Sequence, residues 1–288
     1  MSLEKTSSSH NAIIHRMRFE SIHGLTLPKI GFGTANLGGS IFADHSRDDS
    51  RLAALRSALE LGYTHFDTAE MYGSGHAEEL LGRAFRETAA KRENLFITTK
   101  VMPTHLHYED VLKACQASLR RLGADYLDLY LIHWPMIGMK LADTFRALNK
   151  LIRDGKVKRL GVSNFSLKLL KESQAQSETP IITDQVPYSL THRSYVKNGL
   201  LKYCQANDIL ITAYSPMDVG RLKASPVLSS VAEAHNATPY QIALAWLASQ
   251  PRVITIPMSF DPGHQQENLA AADIVLTDEE MNRLTTSL

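Results

Sequence analysis

Asp67, Lys100 and His133 each end a short apolar run, in the position where a barrel enzyme would hold its chemistry. The three runs are typical of buried strands. Parallel barrels gather their active sites at the C-terminal ends of their strands. A buried strand rarely ends on a charged residue unless that charge has a function or a partner. The three residues are therefore candidates for one common site.

Tyr72 lies five residues past Asp67, in the loop that would follow the second barrel strand. A phenol has a pKa of about 10 and donates its proton poorly at neutral pH, but a nearby ammonium lowers that pKa. Lys100 could supply the ammonium, and Asp67 could hold Lys100 in place. His133 could hydrogen-bond a substrate carbonyl and orient it. Together these residues predict a tyrosine acid tuned by a lysine, which is the chemistry of carbonyl reduction.

Each of these residues also has a purely structural interpretation. Asp67 and Lys100 could form a plain buried salt bridge, and His133 could be a strand-end histidine that bonds to backbone. For each residue taken alone, the catalytic and the structural interpretations are equally good. Their coincidence at three strand ends, with a tyrosine nearby, favours a catalytic tetrad.

Composition is that of a soluble globular protein, with 288 residues, 44% hydrophobic and 21% charged. The net charge is +1 and no basic stripe stands out, which argues against a nucleic-acid or membrane partner. The two cysteines have no CxxC spacing and indicate a reducing, cytoplasmic location. Residues 1–11 are polar and lack the apolar segment of a signal peptide. No apolar run approaches the roughly 18 residues of a membrane span.

Short apolar runs alternate with amphipathic stretches of helical period along the chain. A hairpin is expected first, with Met17–Ile22 and Leu25–Lys29 joined across Gly24. A capping box at 277–280 opens a final helix. This order predicts an α/β fold, a (β/α)8 TIM barrel with an N-terminal β-hairpin and an extra C-terminal helix. The eight runs are Ile30–Gly33, Thr64–Asp67, Leu95–Lys100, Leu127–Ile132, Val157–Val162, Ile181–Val186, Ile209–Ala213 and Val253–Ile256.

Other architectures and sites are less well supported. An open doubly wound sheet would carry a glycine-rich phosphate turn, but segments 31–36 and 73–78 both lack its third glycine or alanine. His105 and His107 lack the further ligands of a zinc site, so no metal is expected. Segment 161–165 resembles a serine nucleophile elbow without its second glycine.

Several segments carry the resemblance to a known family, in order from about Leu27 to the end. The chain is similar to the aldo-keto reductases, in particular to their compact bacterial branch, which includes 2,5-diketo-gluconate and methylglyoxal reductases. The segments are Asp-Thr-Ala-Glu-Met-Tyr-Gly at 67–73, Thr-Lys at 99–100, Leu-Ile-His-Trp-Pro at 131–135, Gly-Val-Ser-Asn-Phe at 161–165, Asp-Gln-Val at 184–186, Ala-Tyr-Ser-Pro at 213–216 and Ile-Pro at 256–257.

The resemblance implies NADPH bound at the C-terminal ends of the strands and hydride transfer to an aldehyde or ketone. It implies that Tyr72 is the general acid, tuned by Lys100 and Asp67, and that His133 positions the carbonyl. Tyr214 would stack on the nicotinamide. It further implies that Ser163, Asn164 and Gln185 bind the carboxamide and that Glu267 and Asn268 contact adenine. The segment from Ser215 through Pro216 and Met217 to Val219 would run beside the pyrophosphate. The remaining cofactor contacts would come from Gly33, Thr34, Ile256, Pro257, Met258, Ser259 and His264.

Two departures from the family bear on cofactor choice. The family often has lysine after the Ile-Pro pair and arginine six residues later, and these cations bind the 2′-phosphate of NADPH. Here those positions are Met258 and His264, so NAD stays possible beside NADP. Ser259 remains, and Arg252 is the nearby cation that could substitute. Thr64 also replaces an arginine common in the family, where its role is structural.

The resemblance implies a single barrel domain over 16–288 behind a flexible arm over 1–15, acting as a monomer. An open pocket walled by Trp134, Met136 with Ile137, Phe32 and Asn36 predicts small aldehydes, α-dicarbonyls or keto-sugars as substrates. The alternative function is a non-catalytic, cofactor-binding regulator on the same barrel, like the potassium-channel β-subunits. A structural protein that merely keeps the fold is a third interpretation.

Overall fold

An antiparallel hairpin opens the computed structural model, which describes residues 18–218, 222 and 225–287. Strands β1 (Phe19–Ile22) and β2 (Leu25–Pro28) pair with Ile22 opposite Leu25, as the sequence predicts. The turn residues His23 and Gly24 both have positive φ, the conformation that a tight two-residue hairpin requires. The predicted arm over 1–15 lies outside the described residues.

Eight parallel strands follow and form the predicted barrel. Each strand pairs with its neighbour in chain order. A parallel bridge between Ile30 and Thr255 joins the first strand to the last. Gly31 N also donates to Thr255 O at 2.8 Å, which closes the ring. The strands are β3 (Phe32–Gly33), β4 (His65–Asp67), β5 (Phe96–Val101), β6 (Leu129–Ile132), β7 (Leu160–Ser163), β8 (Ile181–Pro187), β9 (Leu210–Tyr214) and β10 (Val253–Thr255).

The helices surround the strands, and their ends follow the sequence signals. Gly123 ends the third helix with φ +66°, and Thr238 begins the ninth with the predicted cap. Thr277 and Glu280 form the predicted capping box of the last. The helices are α1 (Asp48–Glu60), α2 (His76–Glu87), α3 (Tyr108–Leu122), α4 (Leu141–Arg153), α5 (Leu167–Gln176), α6 (Ser194–Lys197), α7 (Leu200–Ala206), α8 (Pro226–Ala234), α9 (Pro239–Ala248), α10 (Pro262–Ala270) and α11 (Asp278–Ser287).

Side chains along each strand point alternately into the barrel interior and toward an outer core between the strands and the helices. Phe66 faces outward and packs against Phe85 of α2, whereas its neighbours His65 and Asp67 face inward. The N-terminal half of the interior is apolar, and Ile22 and Leu27 of the hairpin pack into that cluster. The hairpin therefore covers the N-terminal end of the barrel, and the inward polar residues collect toward the other end. Within the described ranges, no helix is long and apolar enough to cross a membrane.

Candidate active site

A cavity of about 490 Å³ opens at the C-terminal end of the barrel. That volume lies within the range of small-molecule sites. Asp67, Tyr72 and His133 line it together, whereas Lys100 is fully buried behind Asp67. The lining residues are Gly33, Thr34, Ala35, Asn36, Asp67, Tyr72, His133, Trp134, Ser163, Asn164, Gln185, Tyr214, Ser215, Pro216, Met217, Ile256, Pro257 and Met258.

The floor of the cavity is a buried ion pair. Lys100 Nζ donates to Asp67 Oδ1 at 2.5 Å and to the backbone oxygen of Thr68 at 2.7 Å. The second carboxylate oxygen of Asp67 accepts a bond from Gln185 Nε2 at 2.7 Å, from a strand across the barrel. Burial lowers the pKa of Lys100, but Asp67 and Tyr72 outweigh it, so the net pKa is raised and the ammonium is kept.

Tyr72 is held over this ion pair by a tight turn at residues 72–75. Its ring centroid lies 5.1 Å from Lys100 Nζ. Gly73 has φ +57° and its Cα faces the backbone of Gly38 so closely that a side chain there would collide. Burial raises the pKa of Tyr72, and the opposing effect of Lys100 does not reverse it. The expectation of a lowered phenol pKa is therefore corrected: Lys100 acts in the expected direction, but desolvation of the phenolate is larger.

His133 stands edge-on to Tyr72, with ring centroids 5.6 Å apart. Its side chain is 6% exposed, and its buried Nδ1 has no hydrogen-bond partner among the described residues. Burial, reinforced by Lys100, lowers the pKa of His133 to about 3. The imidazole is therefore neutral at physiological pH. A buried nitrogen without a partner is costly unless a ligand or water satisfies it.

Amide and hydroxyl side chains form one wall of the cavity. Asn164 Nδ2 donates to Ser163 Oγ at 2.9 Å and to the backbone oxygen of His133 at 3.1 Å. Tyr214 Oη donates to Asn164 Oδ1 at 2.9 Å, and Ser163 Oγ donates to the backbone oxygen of Gln185 at 2.8 Å. Asn164 adopts φ +62°, a conformation that asparagine tolerates better than most residues. The network fixes these polar groups before any ligand arrives.

Most of the residues proposed to bind cofactor meet around this cavity. Gly33 lies against the segment after β10, where a Cβ would come within 2.6 Å of Ile256 O. Ser259, His264, Glu267 and Asn268 do not line the cavity; they lie in the continuing segment and on α10. Asp261 caps that helix by accepting a bond from His264 N at 2.9 Å. Val219 lies outside the described residues.

Arg252 does not substitute for the missing cations. Its guanidinium bonds Glu20 Oε1 at 2.5 Å and Asp208 Oδ1 at 2.6 Å. Arg252 immediately precedes β10, so it lies at the hairpin end of the barrel, away from the cavity. The two acidic partners hold it there.

Three of the residues expected to wall the pocket do not line the cavity. Phe32 faces the helix layer, where it packs against Tyr63 and Phe66, because its neighbour Gly33 takes the inward position. Met136 and Ile137 border a separate depression beside the cavity. Trp134 and Asn36 line the cavity, and so does Ala35. Sequence reasoning missed Ala35, although its place between two predicted lining residues was the available signal.

The donor set fits the reacting end of a nicotinamide cofactor. A carboxamide needs both donors and acceptors, which Ser163, Asn164 and Gln185 offer on one wall. Tyr214 and His133 present aromatic rings to the same space. The cavity is therefore suited to hold a planar amide-bearing ring beside a small carbonyl compound.

Known proteins resemble this chain over most of its length. Methylglyoxal reductase YeaE of Escherichia coli is 38% identical over 266 residues, covering 90% of each chain. A thermostable aldo-keto reductase solved with the inhibitor epalrestat superposes with a TM-score of 0.90 at 42% identity, covering 94% of this chain and 99% of that one. An aldo/keto reductase from Klebsiella pneumoniae solved with NADP and acetate gives a TM-score of 0.83 at 35% identity, covering 93% and 94%.

These relatives are reductases and give no support to a non-catalytic regulator. The model of the aldo/keto reductase family matches residues 29–288. That match begins at the end of the hairpin and includes every strand of the barrel. The chain belongs to the aldo/keto reductase family.

Proposed function

We propose that this enzyme uses NADPH to reduce small aldehydes, α-dicarbonyls or keto-sugars to alcohols, with Tyr72 as the general acid. One observation carries the proposal. Lys100, buried and paired with Asp67, places its Nζ 5.1 Å from the centre of the Tyr72 ring, and the His133 ring packs against the same ring at nearly a right angle. A fixed cation beside a phenol is an arrangement that stabilises the phenolate as a proton leaves.

The proton comes from Tyr72 rather than from His133. His133, with a pKa of about 3, carries no acidic proton at neutral pH. Its neutral ring has one N–H, which can donate a hydrogen bond to the carbonyl oxygen and orient it. The raised pKa of Tyr72 keeps the phenol protonated in the resting enzyme but also makes it a weaker acid, so transfer of its proton depends on stabilising the phenolate. Lys100 then stabilises the phenolate that remains, and Asp67 keeps Lys100 in position.

The cofactor is assigned to the wall of the cavity that carries the amide and hydroxyl side chains. When bound, NADPH supplies the hydride that the carbonyl carbon accepts. Ser163, Asn164 and Gln185 would hold its carboxamide, and Tyr214 would pack against the nicotinamide face. The phosphates and adenine would follow Ser215 to Met217 and then the segment from Met258 to Asn268. The relative from Klebsiella pneumoniae, solved with NADP, supports this assignment.

The substrate end of the cavity is small and mixed in polarity. Trp134, 40% exposed, stands beside His133 and limits one side, and Asn36 adds a polar group. A short carbonyl compound with a second polar group suits such a space. The Escherichia coli relative is named a methylglyoxal reductase, which supports small dicarbonyls.

The proposal includes a monomer in a reducing cytoplasm, a location supported by two free, buried cysteines. Light scattering on the purified protein tests the monomer.

Steady-state reduction of methylglyoxal, a short aldehyde and a keto-sugar tests the function, with NADPH and NADH in parallel. We expect turnover of at least one substrate with NADPH. Turnover with NADH at a similar rate would change the cofactor assignment. Tight NADPH binding without turnover of any of these substrates would contradict the substrate class.

A further inference from the structure

His45, Asp48 and His76 form a cluster outside the reaction cavity. Among the described residues, this is the one group of three His, Cys, Asp or Glu side chains whose ligand atoms all lie within 4.8 Å of one another. Asp48 is the first residue of α1 and His76 the first residue of α2. His45 lies in the loop before α1. Carbonyl reduction uses none of these residues.

We propose that His45, Asp48 and His76 form a binding site for a late first-row divalent cation such as Zn²⁺. His76 Nε2 lies 2.8 Å from Asp48 Oδ1, and His45 Nδ1 lies 3.3 Å from Asp48 Oδ2. Two ligand atoms bound to one tetrahedral zinc lie about 3.3 Å apart, since Zn–N and Zn–O bonds are about 2.0–2.2 Å long. Small side-chain movements therefore place all three atoms around one ion.

The second nitrogen of His76 already has the partner that metal-binding histidines require. His76 Nδ1 lies 3.0 Å from Glu79 Oε2. A carboxylate in that position holds the proton on Nδ1 and orients the ring, so Nε2 can exchange its contact with Asp48 for one with a metal ion. Asp48 and Glu79 together carry the charge that balances a divalent cation. His76 is 6% exposed, so this half of the site is built into the fold rather than formed by surface side chains.

The other half of the site is open to solvent. The side chain of His45 is 67% exposed and its ring lies 4.0 Å from that of His76, measured between centroids. This exposure provides an entry path and leaves a fourth position for water. Two imidazoles and one carboxylate suit zinc, copper or nickel better than magnesium or calcium.

Neighbouring charged groups compete with a metal ion for its ligands. Arg51 Nη1 lies 3.7 Å from Asp48 Oδ1, but its guanidinium bonds Asp44 Oδ2 at 2.6 Å, so Arg51 keeps a partner when Asp48 turns to a metal. Imidazole binds a metal in its neutral form, so metal binding strengthens as pH rises.

A metal ion at this site would hold the loop of residues 40–45 against the turn that carries the catalytic tyrosine. Gly73 N donates to Ser40 O at 2.8 Å, and Ser74 Oγ donates to Ile41 O at 2.8 Å. His45 ends this loop, and His76 follows the turn that carries Tyr72. An ion joining His45 to His76 therefore closes the loop against that turn and stabilises the folded chain.

Titration of chelator-treated enzyme tests the site, with Zn²⁺ followed by calorimetry and Co²⁺ by its visible absorption. We expect one ion per chain, a rise in melting temperature with Zn²⁺, and weaker binding at lower pH. His45→Ala removes an exposed side chain and should fold normally while abolishing this binding. Glu79→Gln should weaken it by about tenfold, as outer-shell changes do.

His107→Ala is the matched control, because His107 is an exposed histidine away from this cluster. It should bind the metal as the unaltered enzyme does. Absence of saturable 1:1 binding would overturn the proposal. Equal affinity in the unaltered enzyme and His45→Ala would also overturn it and leave an adventitious ion only. Both results are independent of whether the enzyme reduces methylglyoxal.

Discussion

Lys100 Nζ and Asp67 Oδ1 lie 2.5 Å apart where solvent reaches neither side chain, at 0% and 2% exposure. Breaking such a pair costs more than the pair contributes, because one charge is left buried without a partner. Asp67→Asn should therefore destabilise the protein by about 3–5 kcal/mol. It should also reduce turnover, since Lys100 loses its anchor. Urea unfolding and steady-state kinetics measure the two effects; an unchanged midpoint would contradict this account of the ion pair.

Asp184 is the informative contrast, since it is buried but lacks a cation. Its Oδ2 has no hydrogen-bond partner among the described residues, and Phe165 N is 3.4 Å from its Oδ1. Burial raises its pKa well above the usual value, which favours the protonated carboxyl. Asp184→Asn should consequently change the free energy of unfolding by only about 1 kcal/mol. A loss as large as that of Asp67→Asn would mean that Asp184 is charged.

We expect the choice between NADPH and NADH to depend on Met258 and His264. Met258 lines the cavity, and the side chain of His264 is 68% exposed beside the helix cap Asp261. Met258→Lys with His264→Arg should tighten NADPH by at least about tenfold relative to NADH, because a phosphate gains charge-assisted hydrogen bonds. Fluorescence titration with each cofactor measures this. Equal gains for both cofactors would place the 2′-phosphate elsewhere.

Acid should destabilise the fold through its buried neutral histidines. Burial lowers the pKa of His133 to about 3 and that of His65 to about 4, from 6.5. The unfolded chain therefore binds these protons first, and stability is lost as pH falls below 6.5. Each histidine contributes a slope of about 1.4 kcal/mol per pH unit in that window.

The slope is measured by urea unfolding between pH 7 and pH 5, and single variants assign it. His133→Gln should make the slope shallower, whereas exposed His107→Ala should leave it unchanged. His76 acts in the opposite direction, because its raised pKa gives stability that is lost as pH rises. An equal slope in His133→Gln and in the unaltered protein would mean that His133 is not buried in its neutral form.

The sequence was sufficient for the barrel, because each strand is a short apolar run followed by a helical pattern. It began the first barrel strand two residues too early, at Ile30, because Ile30 pairs with Thr255 through a single bridge before β3 begins at Phe32. It ended the strand of Lys100 one residue early, at a charge that proves to be buried.

Contacts across the barrel were beyond sequence reasoning. Gln185 bonds Asp67 from a strand 118 residues away, and no local pattern encodes that approach. The net pKa of Tyr72 depends on the balance between burial and Lys100, which only the packed structure provides. Phe32 was assigned to the pocket because of its place in the chain, but strand alternation turns it outward.

The most direct test of the central claim is the reduction of methylglyoxal by Tyr72→Phe with NADPH. The substitution removes one hydroxyl and leaves the ring against His133 and Lys100. Turnover should fall by about 100-fold or more, the usual contribution of a general acid, while NADPH affinity stays nearly unchanged. Turnover equal to that of the unaltered enzyme would contradict the assignment of Tyr72 as the proton donor.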